Sequence, residues 1–141
     1  MNKRYIGLDL GSKTLGISIS ESGIIASNHS TYYFEEDNYE IAVNYINDFV
    51  NKNRIDVVVL GLPRHMNNDL GIRGEISLKF KEDLEKISKV EIILWDERLS
   101  TKSALDVLIK GQVRREKQKK IKDELAATII LQNYLDSISN K

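Results

Sequence analysis

Cysteine is absent from the 141 residues, which excludes disulfides and fits a reducing, cytosolic setting. Proline occurs once, at Pro63, so no proline-rich linker divides the chain, and neither an internal repeat nor a low-complexity tract is visible. No apolar run approaches the roughly 18 residues of a membrane span. The opening "MNKRYIGLDLG" lacks the basic, long-apolar and small-residue pattern of a signal peptide. A soluble, cytoplasmic protein with no membrane partner is expected, folded as one domain over residues 1–141, a length that buries roughly two-thirds of the unfolded surface.

Net charge is missing too. Lys and Arg number 21, as do Asp and Glu, and as a total this speaks against a nucleic-acid binder. The distribution speaks otherwise. In "KGQVRREKQKKIK", Lys110 to Lys122, seven basic residues stand against the single Glu116, so the segment carries +6 and the rest of the chain −6. Segregated charge creates a local positive field despite a neutral sum, although a solvated loop and helix start would look the same.

What is present reads first as β-structure. "RYIGLDL", "TLGISIS" and "GIIASNHSTYYF" are three strand-like runs separated by the Gly11-Ser12-Lys13 and Ser22-Gly23 turns. Links this short join only antiparallel neighbours, so a meander is expected. From Asn38 the period becomes helical, with Ile41, Tyr45 and Phe49 at i, i+4, i+8 and Ala42, Ile46 and Val50 beside them. "IDVVVLGLP" is a continuous apolar run, the pattern of a strand buried on both faces. After the loop "RHMNNDLG", Ile72, Ile76, Phe80, Leu84 and Ile87 keep helical spacing. "VEIILWDER" is a fifth strand, followed by Ser100 or Thr101 as a helix cap and a helix bearing Ala104, Leu105, Leu108 and Ile109. A last helix carries Ile121, Leu125, Ile129 and Leu135. The order β-β-β-α-β-α-β-α-α predicts an α/β fold: a mixed five-stranded sheet, three strands antiparallel and then two parallel, flanked by helices.

Sites of open α/β sheets gather outside the carboxyl ends of parallel strands. Asp9 near the end of the first strand and the pair Asp96/Glu97 at the end of the fifth meet that condition, and which of the pair faces the site is left open because adjacent strand residues point to opposite faces. Asp123 precedes Ala126, Ala127 and Ile130 at i+3, i+4 and i+7, at the head of an apolar stripe facing the sheet. Each acid alone also suits an ordinary cap or surface charge. Converging carboxylates repel one another unless a cation joins them. An oxygen-only donor set, with His29 and His65 outside the cluster, points to Mg²⁺ or Mn²⁺ rather than Zn²⁺. The Asp-x-Gly-Ser turn at Asp9 also suits the phosphate turns of sugar kinases and actin-like ATPases. Those close a nucleotide between two such domains, and this chain has length for one and no second copy of the turn. Nor does "GLDLGSKTLG" fit the Gly-x-x-x-x-Gly-Lys-Ser/Thr phosphate loop.

Four ordered blocks, "GLDLGSKTLGISIS", "VVVLGLPRHMNNDLGIR", "WDERLSTKSA" and "KKIKDELAATIILQNYL", cover nearly the whole chain. In them the sequence resembles the YqgF family, also called RuvX-type, of Holliday-junction-resolvase-like proteins, described as candidate pre-16S rRNA nucleases with a ribonuclease-H-like fold. The resemblance implies an acidic triad of Asp9, Glu97 and Asp123, choosing Glu97 over Asp96. Two departures stand out: Asn68-Asp69 where the family has Gly-Thr, and Lys122 where it has an apolar residue.

The function so implied is metal-dependent phosphodiester hydrolysis in RNA, at the 5′ end of pre-16S ribosomal RNA in ribosome biogenesis. Asp9 would bridge two divalent ions, with Glu97 and Asp123 completing one side each. Lys13, Arg64, Arg73, Arg98, Arg114, Arg115, Lys117, Lys119 and Lys120 would offset the charge of the nucleic-acid backbone. Two rivals remain: a Holliday-junction resolvase acting on branched DNA, which needs two symmetric sites, and a non-catalytic nucleic-acid-binding factor, to which clustered carboxylates bring nothing. A monomer or weak homodimer is expected.

Overall fold

The computed structural model describes residues 3–63, 71–96 and 115–139, with the backbone alone over 115–124. Five strands and three helices occupy them: β1 (Tyr5–Leu10), β2 (Thr14–Ser20), β3 (Ser27–Tyr33), α1 (Tyr39–Asn53), β4 (Val57–Leu62), α2 (Gly71–Ile87), β5 (Glu91–Asp96) and α3 (Arg115–Ser139). The expected helix bearing Ala104, Leu105, Leu108 and Ile109, with its Ser100/Thr101 cap, lies outside the described residues.

The strands form one sheet in the order β3-β2-β1-β4-β5. β1, β2 and β3 are an antiparallel meander, while β1, β4 and β5 run parallel. This is the mixed sheet expected from link lengths: a short link forces reversal, and a helical crossover permits parallel return. β1 and β4 are central, and every residue of β4 is buried, as a continuous apolar run requires.

Strand alternation divides the core in two. Ile6, Leu8 and Leu10 of β1, Leu15 and Ile17 of β2, and Val58 and Leu60 of β4 meet α1 and α2 on one face. Tyr5, Val57 and Val59 meet Ile130, Leu131 and Leu135 of α3 on the other. Among the described residues the sheet is thus a central layer with two helices on one side and one on the other.

Three local expectations need correction. β3 begins at Ser27, not Gly23. Gly23 takes φ 77°, and the Ser22 hydroxyl accepts the N–H groups of both Ile24 and Ile25, so these residues make a capped turn and leave Ile24 and Ile25 exposed. In α1 the buried stripe is Ala42, Val43, Ile46, Phe49 and Val50, and Ile41 is 42% exposed. The stripe is rotated because α1 packs against α2 as well as the sheet. In α2 the first and last expected positions are also outward, Ile72 at 75% and Ile87 at 48% exposure, with Phe80 and Leu84 buried between them. A helix lying across a narrow sheet loses contact at both ends.

Candidate active site

Asp9 is the penultimate residue of β1 and pairs with Gly16 of β2. By alternation it shares the face of Tyr5 and Gly7, the side covered by α3. Beside Asp9 the positions on that face are small: Gly7 on the same strand and Gly16 and Ser18 on β2. A Cβ at Gly7 would lie 2.7 Å from both the Ala127 carbonyl oxygen and the Leu131 Cβ. Only glycine lets the helix backbone come so near the strand. Beside it, buried Ser18 donates its hydroxyl proton to the same Ala127 carbonyl at 2.7 Å, tying β2 to α3. A Cβ at Gly16 would lie 3.5 Å from Ala127 Cβ and 3.7 Å from Asp9 Cβ, so Asp9 and Ala127 flank the same point of the sheet.

The direction of α3 follows from the same contacts. Ala127 and Leu131 sit over Gly7, and farther along the helix the Tyr134 ring lies 6.2 Å from that of Tyr5. The helix therefore runs antiparallel to β1. Followed backwards from Ala127 it advances toward the Asp9 end of the strand, and Asp123 belongs to the turn just before Ala127, about 5 to 6 Å along the axis. The side chains of Asp123 and of Arg115, Lys117, Lys119 and Lys120 lie outside the described residues, although their backbone is helical.

β5 resolves part of the Asp96/Glu97 ambiguity. Ile92 and Leu94 join the α1/α2 face and Ile93 and Trp95 the α3 face, where the Trp95 ring stands edge-on to Tyr134 at 5.8 Å. Asp96 pairs with Leu62 and so falls on the parity of Leu94, opposite to that of Asp9. Glu97 lies outside the described residues, as do Arg64, Arg98, Arg114 and His65. His29 packs edge-on against Phe49, on the side of the sheet away from Asp9.

A cavity of about 490 Å³ opens at the carboxyl end of β1, lined by Asp9, Leu10, Gly11, Ser12, Pro63 and Arg73. The turn after Asp9 is held at almost every carbonyl. Leu10 accepts from Arg73 Nη2 at 2.7 Å, Ser12 from the Asp37 N–H at 2.8 Å, and Lys13 from the Phe34 N–H at 3.0 Å, while the Gly11 N–H donates to Thr14 at 2.7 Å. Lys13 itself is exposed on the outer side of this turn. Among the described residues no group of three acidic, His or Cys side chains could hold a metal ion; Asp9 is the one member of the expected triad whose side chain is described.

The roles of Gly7, Gly16 and Ser18 escape a reading that looks for carboxylates and charge. Their signal is in the alternation itself: in "YIGLDLGSKTLGISIS" one face of the first two strands reads Ile, Leu, Leu, Leu, Ile, Ile and the other reads Tyr, Gly, Asp, Thr, Gly, Ser, Ser, all small or polar after the leading Tyr5. Small residues on one face announce a helix backbone in close approach. The Arg73 bond to Leu10 has no such signal, since it joins residues 63 positions apart.

The comparisons with known proteins agree with this fold. Over 96% of both chains the structure is similar to Thermus thermophilus RuvC in complex with a Holliday junction substrate, with a TM-score of 0.63 at 11% identity, and a second Thermus thermophilus RuvC structure gives 0.56. The fold is ribonuclease-H-like. In sequence the chain is 49% identical over 138 residues to a candidate pre-16S rRNA nuclease of onion yellows phytoplasma, covering 97% of this chain and 91% of that protein. It is 45% identical over 140 residues to the like-named protein of Staphylococcus saprophyticus, covering 98% and 99%. The family described as RuvX, Holliday junction resolvase, matches residues 3–137, and the chain belongs to that family.

Proposed function

We propose that this protein is a metal-dependent nuclease that hydrolyses phosphodiester bonds in RNA and processes the 5′ end of pre-16S ribosomal RNA. The observation that carries the reading is the meeting of Asp9 and Ala127 at Gly16. With α3 antiparallel to β1, the helix backbone before Ala127 leads toward the end of the strand that carries Asp9, which supports Asp123 as a second carboxylate. Asp96 falls on the parity of Leu94, opposite to that of Asp9, which leaves Glu97, the acid that the family resemblance selects, as our choice for the third carboxylate.

Asp9, Glu97 and Asp123 would hold Mg²⁺ or Mn²⁺, and the oxygen-only set suits these hard ions. A divalent ion held there supplies Lewis-acid stabilisation of phosphoryl oxygens and a more acidic bound water. The chain's own contribution is placement. β1 and the bonded turn after it fix Asp9, and the close approach permitted by Gly7 fixes the distance of α3. Lys13 at the rim and the cations at 110–122 hold the substrate backbone.

Replacing Asp9 with Asn tests the proposal. Cleavage of a pre-16S transcript in Mg²⁺ or Mn²⁺ should fall about a thousandfold, as expected when roughly 4 kcal/mol of transition-state stabilisation is lost, while the melting temperature stays close to that of the parent. Undiminished cleavage removes Asp9 from the chemistry. A four-way DNA junction assayed in parallel reports on the substrate: cleavage of the junction with none of the transcript assigns the site to branched DNA.

A further inference from the structure

Arg73, in the first turn of α2, carries a guanidinium that reads from sequence as a phosphate contact. Its observed bonds point inward. Nη2 donates to the Leu10 carbonyl at 2.7 Å, and Nη1 donates to the Tyr39 hydroxyl at 3.3 Å. Tyr39, the first residue of α1, donates in turn to Asp37 Oδ1 at 3.2 Å. Asp37 stands at φ 63°, a conformation that non-glycine residues seldom adopt, and from it the Asp37 N–H reaches the Ser12 carbonyl.

These bonds close a ring. It leaves the end of β1 at Leu10, passes through Arg73 to the head of α1, and returns through Asp37 to Ser12, two residues beyond Leu10. Everything inside it is the turn that follows Asp9. A carbonyl at the end of a strand has no ladder partner and must find a donor elsewhere, and a charge-assisted donor is the strong kind. A planar guanidinium can hold two acceptors at a fixed angle, whereas an ammonium on a flexible stem has no such fork.

We propose that Arg73 is a positioning residue: through Leu10 it sets the end of the strand that carries Asp9, and Tyr39 and Asp37 brace it. It acts by geometry rather than by gripping substrate phosphate. The kinetic part of this rests on the proposed nuclease reading; the structural part does not.

Two measurements on Arg73→Lys and Arg73→Gln separate the possibilities. Amide hydrogen exchange of the intact protein in the absence of RNA should show the Gly11 N–H, bonded to Thr14, exchanging about tenfold faster or more in both variants as the turn opens locally. The Ile55 N–H, bonded to Val50 beyond the far end of α1, should exchange as in the parent. With a pre-16S transcript and Mg²⁺, kcat should fall about ten- to a hundredfold in both, the effect of a misplaced reacting group, with KM and its salt dependence unchanged. Tyr39→Phe, which removes the brace but leaves the Leu10 bond, should shift both readouts in the same direction by less, and it keeps the test alive if an Arg73 variant fails to fold. Parent-like Gly11 exchange in Arg73→Lys overturns the proposal. So does a Lys variant that restores kcat beside a Gln variant that raises KM, since that pattern belongs to a phosphate contact. If the parent cleaves no RNA, the nuclease reading fails, and the exchange data still decide the role of Arg73.

Discussion

The two faces of the sheet are built on opposite rules. On the α1/α2 face large side chains fill the gap: Ile6, Leu8, Leu15, Ile17, Val58, Leu60 and Phe80 are buried, and the Tyr32 and Tyr45 rings stack at 3.8 Å. On the α3 face, around Asp9, the positions are Gly7, Gly16 and Ser18, and helix backbone touches strand. Bulk keeps a helix at arm's length and contributes burial free energy, about 25 cal/mol for each Å² of apolar surface. Smallness gives up that contribution and gains nearness. The proposed site lies on the second kind of surface, where a short distance between strand and helix would let a carboxylate on each reach one ligand.

The contrast is open to experiment, and the largest effect belongs to the bulky face. Phe80→Ala should lower unfolding free energy by about 3–5 kcal/mol, read by urea denaturation, yet leave the kcat of the folded protein unchanged. Loss of kcat there would show that the two faces are not separable. Gly7→Ala should cost less in stability, about 1–3 kcal/mol for overpacking against backbone that cannot yield, but should depress cleavage out of proportion because α3 is pushed away from Asp9. A Gly7→Ala protein that cleaves like its parent would break the comparison. The smallest effect concerns Tyr134, whose hydroxyl is raised above its ordinary value of 10.0 by burial first, then by Tyr5 and Glu91. A raised value in the folded state means that this contribution is complete below pH 10 and is lost as pH climbs through the folded value. Alkaline unfolding monitored above pH 10 should therefore be blunted in Tyr134→Phe.

Much of this architecture is legible in residues alone, and the lapses have physical causes. Short links and helical crossovers predict the meander and the parallel strands, and "IDVVVLGLP" announces the buried β4. Ile24 and Ile25 look like strand because β propensity sees two branched side chains and not the Ser22 hydroxyl that caps their N–H groups. Ile41 and Ile72 satisfy helical spacing but stand exposed, and tertiary geometry decides that. At the site, Asp9 stands out as an acid among apolar residues, while the alternation of Asp96 and Glu97 needs a face to refer to. That face becomes known only when Trp95 is seen beside Tyr134 on the α3 side. Arg73 reads as a surface cation until the orphan carbonyl of Leu10 is found beneath it.

At the far end of α3 the Gln132 amide grips the connection between β2 and β3, donating to the Ile24 carbonyl at 2.9 Å and accepting from the Ala26 N–H at 2.8 Å. The helix spans 25 residues, about 37 Å. It is tied to the β2–β3 connection at Gln132 and to Ser18 of β2 at Ala127, two fixings five residues apart. The seat of the helix over Gly7 is therefore pinned on both sides, and a change at either fixing should be felt at the other.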